Sequence, residues 1–258
     1  MRRFVGSGPC ARAVSLALGA LSFAGGACAA ADGLRTTLGV TTDYVHRGIS
    51  QTAGRAALQA SAAYWHPVGA YGGLWLSNVE SPAAQAYPYV PDRAMSARSR
   101  GHVEVDLTAG FGKRVTADWI LDSKAVAYWY PAGRTAVGYD YVEFSTGAAW
   151  REMLHATVAY TPSTTWPVRG ARHRPALGLE LALQLPVSRW FTAAVGVGHR
   201  ALDAPGASHY DYGSSRLAMQ THRFSLELGH YATDGRARRL FGGELAGDRT
   251  VMTATVSF

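Results

Sequence analysis

The last ten residues, Arg249-Thr-Val-Met-Thr-Ala-Thr-Val-Ser-Phe258, put Met252, Ala254 and Val256 on one face of an extended segment together with the terminal Phe258. Side chains of a strand point alternately to its two sides, so such a segment needs an apolar neighbour on one side and water on the other, up to its final residue. The wall of a transmembrane β-barrel supplies both, with hydrocarbon outside and lumen inside. Phe258 is accordingly read as a membrane-insertion signal, and its strand as the element through which the barrel-assembly machinery would engage the chain.

The same alternation recurs over residues 34–48, 55–65, 71–79, 102–112, 117–130, 139–150, 154–161, 175–185, 191–200, 214–220, 223–233 and 249–258. That predicts an all-β fold of about twelve strands. In the clearest of them Val103, Val105, Leu107, Ala109 and Phe111 oppose His102, Glu104, Asp106 and Thr108, a division that a helix would scatter around its circumference. In another, Leu177, Leu179, Leu181, Leu183 and Leu185 oppose Gly178, Glu180 and Gln184. The connections alternate in length. Short ones fall at 66–69, 113–115, 151–153, 186–189 and 221–222, and longer ones at 81–101, 131–138, 162–174, 201–213 and 234–248, with a tighter one at 51–54. An antiparallel up-and-down barrel with short periplasmic turns, longer extracellular loops and both ends on the periplasmic side accounts for this rhythm.

Hydrophobic residues make up 48% of the chain, but no stretch beyond the first thirty or so residues is long and apolar enough for a spanning helix. Arg2 and Arg3, the apolar stretch 13–24 and the small residues Ala27, Cys28, Ala29, Ala30 and Ala31 predict a secretory signal peptide over 1–29, cleaved near 29–31, followed by a barrel over 32–258. Cys10 and Cys28 both fall in that leader, so the expected mature chain carries no disulfide or thiol chemistry. Removing Arg2, Arg3 and Arg12 with the leader leaves 22 Lys and Arg against 18 Asp and Glu, a modest excess with no basic helix or nucleic-acid motif beside it. Thirteen Tyr and seven Trp suit aromatic girdles, and Tyr64, Trp65, Tyr71, Trp119, Tyr128, Trp129, Tyr130, Trp150, Tyr160, Trp190 and Phe191 cluster at predicted strand ends.

The segment Thr41-Thr-Asp-Tyr-Val-His-Arg-Gly-Ile-Ser-Gln-Thr52 resembles the opening motif of the TorF family of porins, also called the Gcw_chp family. Trp75-Leu-Ser-Asn-Val79, Glu104-Val-Asp-Leu107, Tyr128-Trp-Tyr-Pro131 and Asp140-Tyr-Val-Glu143 extend the resemblance over most of the mature chain, with His46 standing where an aromatic residue is expected. The resemblance implies a barrel of the Gram-negative outer membrane and passive solute passage. It supplies no substrate.

With the polar face of each strand towards the lumen, Glu104, Asp106, Asp118, Asp122 and Glu143 form an acidic arc. Arg200, Arg216, Arg223, Arg249, Arg35 and Arg47, brought together by closure, form a basic one. Facing arcs would order water and orient dipolar solutes at a constriction. The alternative is a plugged interior in which the same charges pair, since ~8 strands fill their lumen and ~16–18 leave a channel. Asp43, Tyr44, Arg47, Gly48, Ser50 and Gln51 are placed at the outer rim of the first hairpin, as selective residues of the mouth or as a structural bulge with paired charges. Arginines of the external loops, Arg93, Arg98 and Arg100, Arg169, Arg172 and Arg174 beside His173, and Arg236, Arg238 and Arg239, could clamp lipopolysaccharide phosphates or attract anions.

Catalysis has little to stand on. There is no G-x-S-x-G elbow, H-E-x-x-H pair or phosphate-binding glycine loop, and His209, Asp211 and Ser214 or Ser215 share only a neighbourhood in sequence. The sequence therefore predicts a non-enzymatic outer-membrane porin for small hydrophilic solutes, in contact with membrane lipid and lipopolysaccharide, without cofactor, metal or nucleic acid. The alternatives are a barrel hydrolase and a structural or adhesive barrel whose arginine loops bind lipopolysaccharide.

Overall fold

Antiparallel pairing runs unbroken around a closed wall of twelve strands. The computed structural model describes residues 33–80, 102–131, 140–164, 174–203 and 208–258. The wall is made by β1 (Gly33–Thr41), β4 (Ala57–Trp65), β5 (Ala70–Val79), β6 (His102–Arg114), β7 (Trp119–Trp129) and β8 (Tyr141–Trp150), then β9 (Leu154–Thr164), β10 (Arg174–Pro186), β11 (Phe191–Leu202), β12 (Ser208–Gln220), β13 (Phe224–Thr233) and β14 (Arg249–Ser257). Two short strands, β2 (Val45–His46) and β3 (Ile49–Ser50), form a separate hairpin after β1. Helices α1 (Gly235–Phe241) and α2 (Gly243–Ala246) lie between β13 and β14. The barrel closes where β1 pairs with β14, from Thr37↔Ser257 to Thr41↔Thr253.

The wall is inverted relative to a soluble protein. Its outer face carries Leu34, Leu58, Leu107, Phe144, Leu179, Val197 and Leu228, all between 45% and 72% exposed in the isolated chain, while Glu104, Glu143, Glu180 and Arg200 on the inner face are nearly inaccessible. An apolar belt of that extent is stable only against hydrocarbon, and closure leaves no sheet edge whose amides and carbonyls would go unpaired there. No helix among the described residues is long and apolar enough to cross a membrane, so the strands alone would do the crossing.

The strands follow the predicted ones with two differences. The first was expected to continue to residue 48, but β1 ends at Thr41 and the chain turns into the lumen. β12 begins at Ser208 rather than near 214. The aromatic expectation divides in the same way. Tyr64, Trp119, Trp129, Trp150, Tyr160, Trp190 and Phe191 stand on the outer surface, and Trp119 faces Trp150 across the β7–β8 ladder, at its end away from the connection between the two strands. Trp65 and Tyr71 instead stack on one another at 6.0 Å, and Tyr128 is buried on Tyr141 at 4.3 Å. Adjacent residues of a strand face opposite ways, so Tyr64 and Trp65 cannot both reach lipid. The predicted leader, and Arg93, Arg98, Arg100, Arg169, Arg172 and His173, lie outside the described residues.

Inside, tyrosines lie flat over glycines of neighbouring positions. A Cβ at Gly198 would come within 2.5 Å of the Tyr212 ring, and one at Gly110 within 2.8 Å of the Tyr71 ring, so each glycine gives a ring room to fold against the wall. The division of faces has a direct test. Leu179→Arg, on the outer face, is expected to cost about 2–4 kcal/mol in urea unfolding from lipid vesicles, whereas Gln184→Arg, on the inner face of the same strand, stays near neutral.

Candidate functional site

The family-like motif forms a hairpin that folds into the lumen. Val45 pairs with Ser50 and His46 with Ile49, leaving Arg47 and Gly48 as a two-residue turn with φ of 50° and 79°. Both central residues of such a turn need positive φ. Gly48 is also hemmed in, since a Cβ there would meet Thr233 Cγ2 at 2.6 Å and Tyr212 Cβ at 2.9 Å. Arg47 accepts a conformation that disfavours a side chain by about 1–2 kcal/mol, and its contacts offset that cost.

Those contacts form a buried ionic network. The Arg47 guanidinium donates to both oxygens of Glu143, at 2.7 Å and 2.8 Å, and through Nε to Glu180 Oε1 at 2.8 Å. Arg200 donates to Glu143 Oε2 at 3.0 Å and to Thr161 Oγ1 at 2.8 Å, Thr161 donates to Glu143 Oε2, and the Tyr212 hydroxyl donates to Glu180 Oε1 at 2.6 Å. Glu143, Thr161, Glu180, Arg200 and Tyr212 come from β8 to β12, five consecutive strands, and none is more than 7% exposed. Two cations balance two carboxylates, so no net charge is buried.

The base of the hairpin is fixed as tightly. Ser50 and Thr52 hydroxyls donate to Asp43 Oδ1 at 2.6 Å and 2.7 Å, and Arg249 donates to Asp43 Oδ2 at 2.6 Å. Arg249 also binds the carbonyls of Glu244, Leu245 and Gly247, so the α1–α2 segment and the hairpin share one arginine. Tyr44 donates its hydroxyl to Glu104 Oε1 at 3.0 Å and meets the edge of Trp75, and Gln51 bonds the Ile49 carbonyl. Ile49 packs with Tyr210, Tyr212, Ala237 and Ala246, a small apolar cluster that joins hairpin, wall and helices.

Placement of the predicted residues is therefore uneven. Arg47, Glu143 and Arg200 meet in one network, Glu104 holds Tyr44, and Arg249 holds Asp43. Asp106 and Arg216 also lie on the inner face. Asp122 accepts from Tyr71, and Arg35 stacks over Trp65 at 5.6 Å near the opposite end of the barrel. Asp118 and Arg223 are in turns rather than in the wall, and Asp118 pairs there with Arg151 at 3.0 Å. Asp43, Tyr44, Arg47, Gly48 and Ser50, expected at the rim, lie buried inside, because the turn after Thr41 sends them towards partners on β5, β6, β8, β10 and β14 of the wall. The two arcs are interleaved, since Glu180 and Glu227, which the sequence reading left out, stand on β10 and β13 among the arginine-bearing strands. Alternation alone placed Glu180 on a polar face; nothing local announced Arg47 as its partner.

Among the suggested hydrolase residues, Asp211 and Ser215 share the outer face of β12 while Ser214 faces inward, and Asp211 pairs with His199 at 2.6 Å. Arg238 of α1 pairs with Asp248 at 2.7 Å. Among the described residues no group of three or more His, Cys, Asp or Glu could hold a metal ion.

Burial, and then the neighbouring Arg47 guanidinium, push the His46 imidazole down to about 3. Burial opposes the charge of Arg47 itself, but Glu143 and Glu180 outweigh it and keep the guanidinium ionised. An undocked His46 returns towards its ordinary 6.5, so protons favour the undocked hairpin. Docking is at full strength above about pH 6.5 and weakens as the pH falls towards 3. Limited proteolysis of the hairpin should rise over that window, less steeply in His46→Gln. Removing one partner of a buried ion pair costs about 3–5 kcal/mol. Arg47→Ala should therefore lower amide-exchange protection of residues 45–50 by about a hundredfold or more while the wall strands keep theirs.

The model of the Gcw_chp family, described as a bacterial protein of unknown function, matches residues 27–257. No curated protein matches the chain. Among solved structures, the NanC porin in a rhombohedral crystal form superposes with a TM-score of 0.54 at 9% identity, covering 87% of this chain and 98% of that one. A KdgM porin gives a TM-score of 0.48 at 6% identity over 88% and 98%. At such identities the NanC likeness is one of fold.

Proposed function

From the premise that this chain belongs to the Gcw_chp family of bacterial proteins, we propose that it is a porin of the Gram-negative outer membrane, passing small hydrophilic solutes down their gradients, with its lumen gated by the β2–β3 hairpin. The observation that carries this reading is the closed twelve-strand wall, apolar outside and polar inside, around a hairpin anchored mainly by hydrogen bonds and ion pairs. The NanC chain, whose fold this wall shares, is a porin. The lumen requires no covalent or metal chemistry for such a task; diffusion needs only a polar path and a wall that excludes lipid.

The hairpin decides when that path is open. Its tip occupies the lumen at the level of Glu143 and Glu180, and its base is tied to Arg249 and Glu104. A docked hairpin narrows the extracellular half, and a released one leaves the carboxylates and Arg200 to line the path. In this reading the family motif is the gate, and the acidic and basic wall residues set charge preference once it has moved. The export leader, the role of Phe258 in insertion, and lipopolysaccharide contacts by Arg174, Arg236 and Arg239 belong to the same proposal.

Planar-bilayer recording tests it. The full mature chain should give ohmic steps that are small or infrequent, and deletion of residues 44–51 should raise either the step size or the open fraction several-fold. Arg200→Glu in that background should shift reversal potentials towards cation preference. A deletion variant that folds, inserts and shows no conductance would overturn the porin reading, and fatty-acid release by the intact protein would favour the hydrolase.

A further inference from the structure

On the side of the lumen away from the hairpin tip, the inner face of the wall is built largely of small residues, among them Ala63, Gly73, Gly147, Ala182, Gly196 and Ser214. Charged side chains interrupt that surface, Arg35 opposite Ala63, Asp122 opposite Gly147 and, on adjacent strands, Arg216 and Glu227. Arg216 on β12 lies opposite Gly229, and Glu227 on β13 lies opposite Ala218. They are thus diagonal neighbours on one face, with Cα atoms about 7–8 Å apart. Leu226 and Leu228, flanking Glu227, take the other face, and Leu228 is 54% exposed there.

The two ionic groups do not pair with each other, unlike Arg47 and Arg200 with Glu143 and Glu180. Glu227 is only 5% exposed, yet its Oε2 has no hydrogen-bond partner among the described residues, and neither has Arg216 Nε. The neighbouring Tyr231 ring lies over Gly229, its hydroxyl 3.1 Å from where a Cβ would stand, which leaves the floor between the two charges flat. A buried carboxylate oxygen and a guanidinium N–H left unmet cost about 1–3 kcal/mol each, more for charged groups. A ligand that brings a donor cation to one and an acceptor anion to the other recovers both at once.

We propose that Arg216 and Glu227 form a subsite for small zwitterionic solutes, holding the solute carboxylate on the guanidinium and its ammonium on the Glu227 carboxylate. The inference rests on the porin reading for its place on a transport path, and names the class of solute that path prefers. A singly charged solute satisfies one of the two groups and leaves the other as it was. Discrimination therefore comes from leaving buried polar atoms unmet, which separates solutes more sharply than pore width does.

Equilibrium binding to the purified full mature chain in detergent tests this without any current being measured. Glycine is the probe, read by saturation-transfer NMR or calorimetry, with acetate and methylammonium as its single-charge halves. Glycine should saturate at least about tenfold more tightly than either half, and Arg216→Gln and Glu227→Gln should each weaken it by about tenfold or more, in keeping with the loss of a charge-assisted hydrogen bond. The charge exchange Arg216→Glu with Glu227→Arg should retain glycine binding, since a zwitterion can turn round, and that variant guards against a mere folding defect. Heat-shifted gel mobility verifies that each variant is folded. Absence of saturable glycine binding, equal binding of acetate, or binding indifferent to both single variants overturns the subsite. A barrel that conducts ions without binding glycine removes this inference alone, and one that binds glycine but never conducts removes the porin reading alone.

Discussion

Within hydrocarbon there is no water to pair a stray amide or carbonyl, and an unmet backbone group there costs several kcal/mol. For a chain with no long apolar helix among its described residues, closing the sheet is the way to leave no such group at an edge. Everything else in the molecule inherits its position from that closure. Pairing of β1 with β14 brings Arg249 alongside the turn after Thr41, and so places it on Asp43, 206 positions earlier in the chain. Alternation then sends the five leucines of β10 outward and Glu180 between them inward, with a single slip of register enough to reverse both.

Within the closed wall, the hairpin is held by charge rather than by apolar area. Only Ile49, Val45 and Tyr44 bring large apolar surface, whereas Asp43, Arg47, Ser50 and Thr52 bring hydrogen bonds to almost every polar atom they bury. Taking Arg47 and Arg200 out of water carries a desolvation penalty of several kcal/mol per ion. Bidentate geometry with Glu143, a second carboxylate at Glu180 and hydroxyls from Thr161 and Tyr212 leave little of that penalty uncompensated. Positive φ at Arg47 adds strain at the same atom group, so the tip is the place where docking is most strained and most strongly repaid.

The wall was legible because period two is a local property. Apart from the early end of β1 and the early start of β12, the twelve strands lie within a few residues of their predicted spans, and the resemblance carried by residues 41–52 was to the family whose model matches most of the chain. What local pattern could not convey was the third dimension inside the barrel. Arg47 read as a rim charge, yet its partners are 96 and 133 positions away, and Asp118 and Arg223 kept the right composition for a wall while sitting in its turns. The early end of β1 had a local signal that alternation masked: Arg47-Gly48 flanked by Val45 and Ile49 is a short hairpin in its own right. Counting Glu180 and Glu227 with the arginine-bearing strands would likewise have shown that the arcs interleave.

Charge-held docking has a consequence that apolar docking lacks. A hairpin seated by leucines would, on leaving, expose hydrocarbon to lumen water on both surfaces, and buried ion pairs of this kind are often no more stabilising than well-packed apolar residues in their place. Seated by Arg47, Asp43 and hydroxyls, it exposes groups that water solvates well, so the free energy of the undocked state stays low even though the docked state is tightly specified. In the proposed gate the same substitution of water for partner would turn Glu143, Glu180 and Arg200 from a lock into the lining of a polar path. A gate built in this way needs no separate set of residues for its closed and open forms, because the charges that fix the hairpin are those a passing solute would meet.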